Sequence, residues 1–478
     1  MRIPSLVKNS SIYTFLMVVQ KGIGFFLLPL YTAFLTPADY GIQAVVTSIS
    51  SFLSMLLALD IDSAARRFYF KYNEDKEKAK SMYGTAAVVI IINSFFFGGL
   101  FILLHNLVLT PILGEVSFYP YVFLGLLYVL VNPLYLLYQS YLQTIQDGAT
   151  YGINAFLYIL VQVGLNIVLL VVFKLGVLAI LYSQLIVAVI FFIYVAIRFL
   201  PTLKLGIDRV FLKEALRYSL PIIPHTLANW SNDTLDKLFV NKIRSAADTG
   251  IFGLAQQYSS VVGIASNAIN QAYLPWFIKK SDNREFAVIS SVSYASSLLV
   301  CLFASFFALF SKEILSIMIS NPQYGDVYLL VPYIVFAYVF KSLYYYYVDV
   351  LYLKDTKIIF TITWTTVFFS IVANLALIPL FGIIGAAMAC MLTFIVKSLM
   401  ALIISSNRNK EIRFKWRSMY MFSFISFVGV LVITEFTSLF STISVILLKC
   451  GFLVILALSI FLFNKGLFLN IRKMIKES

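Results

Sequence analysis

The chain has 478 residues, 61% hydrophobic and only 12% charged, and no single water-soluble core could hide that much apolar surface. Its formal net charge of +14 would suit nucleic acid, but the basic residues sit in short segments between apolar runs and not on one amphipathic face. Runs of about 20 apolar residues recur along the chain, the length a helix needs to cross ~30 Å of hydrocarbon, so the expected fold class is an all-α polytopic membrane protein.

In chain order the hydropathy predicts fourteen spans, near residues 11–35, 41–61, 82–105, 118–140, 152–173, 177–198, 217–240, 249–276, 286–310, 327–350, 358–380, 383–404, 418–438 and 443–463. The longest connections, 66–81, 106–117, 199–216 and 405–417, read as loops too short to hold a folded domain. No small-residue cleavage site follows the first apolar run, which reads as a retained helix and not a signal peptide. Cys301, Cys390 and Cys450 all fall inside apolar runs, which argues against a disulfide framework or a zinc site. With the N-terminus in the cytoplasm, the inside segments carry 27 basic residues against four outside: Lys174, Lys242, Arg244 and Lys312. This asymmetry predicts that both termini are cytoplasmic.

The chain repeats itself. Ala38-Asp39-Tyr40-Gly41-Ile42 returns 209 positions later as Ala247-Asp248-Thr249-Gly250-Ile251, each copy a polar turn followed by a helix with a polar stripe. Asp147 and Asp355, and also Asn166 and Asn374, lie 208 apart; glycine turns at Gly176 and at Gly382 to Gly385 follow in each half. Six spans separate equivalent positions, so both copies cross the membrane in the same direction, as parallel repeats do. The expected domains are an N-terminal lobe over 1–205, a C-terminal lobe over 206–410, and an appendage over 411–478 that carries spans 13 and 14 with a basic tail.

The metalloprotease, nucleophile-elbow, phosphate-loop and paired-cysteine signatures do not occur. Asp60-Ile61-Asp62 has the form of a metal-binding Asp-x-Asp, but no nucleotide-binding domain surrounds it, and pairing with Arg66 and Arg67 is the simpler expectation. Polar residues at helical spacing inside spans are more informative. Span 7 aligns His225, Thr226, Asn229, Asn232, Asp233, Asp236 and Lys237 on one face, and span 8 does so with Gln256, Ser259, Ser260, Asn267 and Asn270. Span 2 carries Thr47, Ser50 and Ser51. Such faces cannot point at lipid; they either bond across packed helices or line water. Packing accounts for span 2 alone, whereas spans 7 and 8, longer and charged, suit a water-filled cavity. Lys21 and Lys341 lie near mid-span, where insertion costs ~2.5–3.5 kcal/mol and a compensating role is expected. Lys397 and Lys449 are expected to snorkel to an interface, and Tyr344 to Tyr347 with Tyr352 to join a cytoplasmic aromatic belt. His225, Asp233 and Asp236 are candidates for binding a coupling Na⁺ or H⁺, with no other cofactor expected. Gly22, Gly24 and Pro29 in span 1, and Pro221 and Pro224 in span 7, interrupt the first helix of each half.

The pattern Leu28-Pro29-Leu30 through Leu35-Thr36-Pro37-Ala38-Asp39-Tyr40-Gly41 resembles the start of polysaccharide-biosynthesis flippases. Arg66, the Asp236-Lys237 pair (usually Asp-Arg) and the Phe381 to Ala387 run are similar to the family as well. These flippases belong to the superfamily that also holds multidrug exporters and peptidoglycan-precursor flippases. The resemblance implies two six-helix pseudo-symmetric lobes around a central cavity lined by spans 1, 2, 7 and 8, plus two extra helices. It also implies a non-enzymatic carrier in the bacterial cytoplasmic membrane that moves undecaprenyl-pyrophosphate-linked oligosaccharide outward by alternating access, for O-antigen or capsule. Lys21, Arg66, Lys237 and Lys341 would meet the pyrophosphate. Thr47, Ser50, Ser51, Asn229, Gln256, Ser259, Ser260, Asn267 and Asn270 would line the cavity. Polysaccharide polymerase and glycosyltransferases of the same pathway are the implied partners. A cation-coupled drug exporter and a membrane polymerase or glycosyltransferase are the alternatives; mid-span lysines and the lack of a large outer loop weigh against them.

Overall fold

The computed structural model describes residue 19 and residues 22–72, 75–354, 356–436 and 442–463. Lys21, Asp355, the start of the first expected span and the basic tail beyond residue 463 lie outside the described residues. All regular secondary structure among the described residues is helical. The chain divides into two compact units, Met1–Gly253 and Leu254–Ser478. The junction expected at 205/206 rests on sequence repetition alone.

The first unit contains α1 (Leu28–Phe34), α2 (Pro37–Ala58), α3 (Ile61–Tyr72), α4 (Lys76–Leu103), α5 (Phe123–Thr144), α6 (Gly148–Ile167), α7 (Val177–Arg198), α8 (Arg209–Ser219), α9 (Ile223–Ile243) and the start of α10 (Ala246–Asp282). The second contains the rest of α10, then α11 (Phe286–Leu309), α12 (Ser311–Met318), α13 (Val327–Lys354), α14 (Thr356–Arg408), α15 (Trp416–Phe436) and α16 (Thr442–Phe463). Ten helical stretches among the described residues are long and apolar enough to cross a membrane, and the stretch 357–408 holds spans 11 and 12 together. Spans 7 and 8 are the helices α9 and α10; polar stripes make them less apolar than their neighbours. With the first span, partly outside the described residues, the chain is a multi-pass helical protein of about fourteen spans.

The repeat is legible in the backbone. Gly176 starts α7 at φ 57°, ψ −138°. Gly382 breaks α14 at φ 61°, ψ −139°. A side chain at either position would collide with its own peptide, so both halves use glycine to turn the same corner. Some of the expected interruptions occur: span 1 is helical through Gly22 and Gly24 but turns at Leu27 before Pro29 in α1, and span 7 breaks between α8 and α9, with Pro224 in the first turn of α9.

Three expected loops are partly helical: 106–117 holds the short turns His105–Val108 and Thr110–Leu113, and two others hold longer helices. Residues 61–72 and 209–219 form α3 and α8, amphipathic helices whose interspersed charges conceal them from a hydropathy reading. Asp208 caps α8, accepting from the backbone N–H groups of Val210 and Phe211 at 2.9 and 3.1 Å. Phe211 and Ala215 then enter the core of the first unit with Ala64 and Ala65 of α3, while Lys71 pairs with Glu214 at 3.3 Å.

Three expectations in the second unit are corrected. Tyr344, Tyr346 and Tyr347 are buried and do not form an interfacial belt; Tyr346 meets Tyr273 at 5.1 Å and Tyr347 meets Phe414 at 5.2 Å, and Tyr352 alone of the buried-belt candidates is exposed. Lys397 does not snorkel: it is 3% exposed, its ammonium 4.9 Å from the centre of the Tyr344 ring. Lys449 is 1% exposed and donates to both carboxylate oxygens of Glu313 at 2.6 and 2.8 Å, tying α16 to α12. The buried Lys449 ammonium is balanced by the Glu313 carboxylate, which is itself partly exposed. Glu313→Gln should therefore lower the stability of the detergent-solubilised protein by about 3–5 kcal/mol, read as a fall in Tm, with Glu313→Gln/Lys449→Met recovering most of the loss. Equal losses in the single and double variants would show that the pair does not act as one.

Candidate functional site

The two copies of the repeated motif are capped alike and touch. At the head of α2, Thr36 accepts from the Asp39 N–H at 3.2 Å while Asp39 accepts from the Thr36 N–H at 3.0 Å, closing a capping box. At the head of α10, Ser245 accepts from the Asp248 N–H at 3.0 Å, and Asp248 takes Arg244 at 3.1 Å. A Cβ added to Gly41 would stand 1.7 Å from the Ala246 carbonyl oxygen, and one added to Gly250 would stand 1.8 Å from that of Pro37. Each carbonyl lies four residues before the opposite glycine. The two helices thus cross on bare backbone in a two-fold arrangement that only glycine permits.

Beyond the crossing, α2 carries Thr47, Ser50, Ser51 and Ser54 along one wall of a cavity of about 490 Å³ inside the first unit. The opposite walls bring Tyr128 and Asn132 of α5, Tyr158 and Gln162 of α6, and Gln184 of α7. The stripe of span 2 is therefore more than packing. Ser50 and Asn132 are 7% and 5% exposed. The Tyr158 hydroxyl donates to the Asn132 side-chain oxygen at 3.4 Å, and its ring stacks on Tyr135 at 4.8 Å. Ser51 accepts from the Trp230 indole N–H at 2.9 Å, and that indole lies 5.0 Å from the Phe52 ring.

The end of the cavity is acidic. Leu59 and Asp60 both adopt φ 52°, turning the chain from α2 into α3 and setting Asp60 and Asp62 at the cavity wall. Asp62 pairs with Arg66 at 3.4 Å, and Ser63 donates to Asp60 at 2.8 Å. Arg67, expected to join this pair, instead lies over the Tyr218 ring at 4.5 Å. No group of three or more metal-ligating side chains occurs among the described residues.

The other expected site residues are distributed differently. On α9, His225 and Asn229 are in contact at 3.1 Å through their side-chain nitrogens, Asp236 is 2% exposed, and Asp233 is exposed. Asp236 and then Asp233 act on the half-buried Lys237 ammonium. These residues belong to the first unit but do not line its cavity. Gln256, Ser259, Ser260, Asn267 and Asn270 follow one another along α10 in the second unit. Ser259 is fully buried with its hydroxyl unpartnered, the Asn270 side-chain oxygen is also unpartnered, and Ser260 donates to the Gln257 carbonyl at 2.6 Å. Lys341 lies 5.1 Å from the centre of the Phe394 ring. Sequence reasoning passed over Asp349, 1% exposed, with one carboxylate oxygen lacking a hydrogen-bond partner. Its signal was a lone carboxylate inside span 10. The second unit also holds an apolar groove of about 620 Å³ walled by Ile269, Phe303, Phe306 and Val454.

The chain is an all-helical multi-pass protein with a repeated glycine turn and a cavity between its spans lined by hydroxyl, amide and apolar side chains. Solved structures agree. The chain is similar to the lipid II flippase MurJ in its inward closed conformation, with TM-score 0.71 and 14% identity over 97% of this chain and 100% of that one. It is similar to an inward-facing multidrug resistance MATE transporter of the MOP superfamily, with TM-score 0.62 and 15% identity over 81% of this chain and 94% of that one. At these identities the likeness is one of fold. A protein of the Lsg locus of Haemophilus influenzae is 30% identical over 73 residues, 15% of this chain and only 18% of that protein. The family model described as polysaccharide biosynthesis protein matches residues 6–281, more than half of the chain, and the chain belongs to that family.

The crossing generates a test. Gly41→Val inserts a branched side chain where backbone already stands, and overpacking of this kind costs about 1–3 kcal/mol. The variant should show a lower Tm than the native chain, whereas Gly22→Val, whose site has open space around it, should not.

Proposed function

We propose that the chain is a flippase that carries undecaprenyl-pyrophosphate-linked oligosaccharide repeat units across the bacterial cytoplasmic membrane by alternating access, supplying O-antigen or capsule synthesis. The observation that carries the reading is membership of the polysaccharide biosynthesis family by a chain that has the fold of flippases and exporters. The cargo has three chemically distinct parts, and the chain offers groups suited to each. Lys21, Arg66, Lys237 and Lys341 supply the positive charge that a pyrophosphate needs, with Lys237 giving up the bidentate geometry of arginine but keeping the charge. The apolar groove of the second unit suits a polyprenyl tail. Hydroxyl and amide side chains on α2, α9 and α10 suit an oligosaccharide, among them Asn229, Gln256 and Asn267. His225, Asp233 and Asp236 are the candidates for coupling transport to Na⁺ or H⁺. Both termini are cytoplasmic in this reading, and the polymerase and glycosyltransferases of the pathway are the partners.

In the native host, Lys21→Ala and Lys237→Ala should each cut surface polysaccharide severalfold while lipid-linked repeat units accumulate and the protein stays in the membrane at native abundance. Normal surface polysaccharide in both variants would remove these lysines from the transport path. If deletion of the whole chain left polysaccharide intact and instead sensitised cells to cationic drugs, the exporter reading would replace this one.

A further inference from the structure

We infer that the cavity of the first unit is a sugar-recognition pocket that takes one neutral or amino sugar of the cargo and rejects acidic sugars; this deepens the flippase reading and rests on it. The inference comes from what lines the cavity. Its volume of about 490 Å³ lies within the ~300–1,000 Å³ of small-molecule sites. Side chains that both donate and accept are gathered in the lining, hydroxyls of Ser50, Ser51 and Ser54 and amides of Asn132, Gln162 and Gln184, between apolar walls that include Met55, Leu136 and Leu137. Ser50 and Asn132 are buried and the others are partly or fully accessible from the cavity, and polar groups at membrane depth are costly unless water or a ligand hydrogen-bonds them.

Other ligands fit poorly. A phosphate needs cationic donors, and no lysine or arginine lines the cavity. A metal ion needs a convergent set of carboxylates, imidazoles or thiolates, and no group of three exists among the described residues. An apolar drug would offer no hydrogen bond to the Gln162 and Gln184 amides or the Ser54 hydroxyl. A sugar ring presents hydroxyls that donate and accept in turn, together with an apolar C–H face. Tyr128 and Tyr158 supply rings for that face, and Trp230, fixed by its 2.9 Å bond to Ser51 and resting on Phe52, adds an indole at the Ser51 wall.

Charge then sets the selectivity. Two carboxylates, Asp60 and Asp62, share this end with one guanidinium: Arg66 pairs with Asp62 at 3.4 Å and its charge also reaches Asp60, which accepts from the Ser63 hydroxyl at 2.8 Å. The acidic end therefore keeps a negative charge, which attracts an ammonium, tolerates a neutral sugar and repels a carboxylate.

The test uses the full chain in detergent and three probes: farnesyl diphosphate, the same diphosphate carrying N-acetylglucosamine, and the same carrying galacturonate. Affinities are read by competition against a fluorescent farnesyl diphosphate. The native chain should bind the N-acetylglucosamine probe about tenfold more tightly than the bare diphosphate, the equivalent of one or two good hydrogen bonds, and should give the galacturonate probe no advantage. Ser54→Phe, which fills the cavity, and Gln162→Leu, which removes one amide at similar volume, should each drive the N-acetylglucosamine advantage toward one. Asp60→Asn should raise affinity for the galacturonate probe. An undiminished N-acetylglucosamine advantage in both Ser54→Phe and Gln162→Leu would overturn the pocket, as would a galacturonate preference in the native chain. If the native chain bound none of the three, the flippase reading itself would fall and this inference with it.

Discussion

The first unit is built on the contact between Gly41 and Gly250, where two helices meet without side chains. Carbonyls of Ala246 and Pro37 occupy the space a Cβ would need, so helices α2 and α10 are locked in register at their capped N-terminal turns. A membrane gives little hydrophobic reward for bringing helices together, because lipid tails are as apolar as leucine. Close backbone approach and its dispersion contacts must supply the association instead. From that fixed point α2 runs inward with its hydroxyl stripe already aimed, and the left-handed turn at Leu59 and Asp60 closes the cavity's acidic end.

Polar groups elsewhere obey the same constraint. A charge within the spans persists only with a partner close at hand. Lys449 has Glu313, Lys397 has the Tyr344 ring and Lys341 has the Phe394 ring. The chain thereby separates two uses of polarity. Some polar groups fasten helices, as Asn166 does by donating to the Tyr31 hydroxyl at 2.9 Å and accepting from Ser183. Others, such as Ser54, Gln162 and Gln184, face a cavity where a ligand or water can meet them.

Much of this was legible in the sequence because a bilayer imposes length and polarity rules that a single chain must obey. Span number, the repeat, and the glycine turns at Gly176 and Gly382 all follow from those rules. The helices α3 and α8 were missed because surface helices alternate charge and apolar residues, and hydropathy averages them away. Lys449, Lys397 and the tyrosines of span 10 were misplaced for a different reason: periodicity says which residues share a face but not whether that face meets lipid, water or another helix. For the same reason Thr47, Ser50 and Ser51 were recognisable as a stripe, while their convergence with Asn132, Gln162 and Asp60 needed coordinates. Asp349 shows the limit most plainly: its place inside span 10 marks it as unusual, but the sequence alone does not say whether such a carboxylate is enclosed or reaches the interface.

The most direct test of the account is transport itself. The purified chain would be reconstituted into liposomes loaded in the inner leaflet with a fluorescent undecaprenyl-pyrophosphate-linked oligosaccharide. A membrane-impermeant quencher would then follow its appearance in the outer leaflet. The account predicts protein-dependent exposure of the glycolipid that stops when a sodium or proton gradient is collapsed or when Lys237 is replaced by alanine. Exposure no faster than in protein-free liposomes, with the protein folded and inserted, would contradict it.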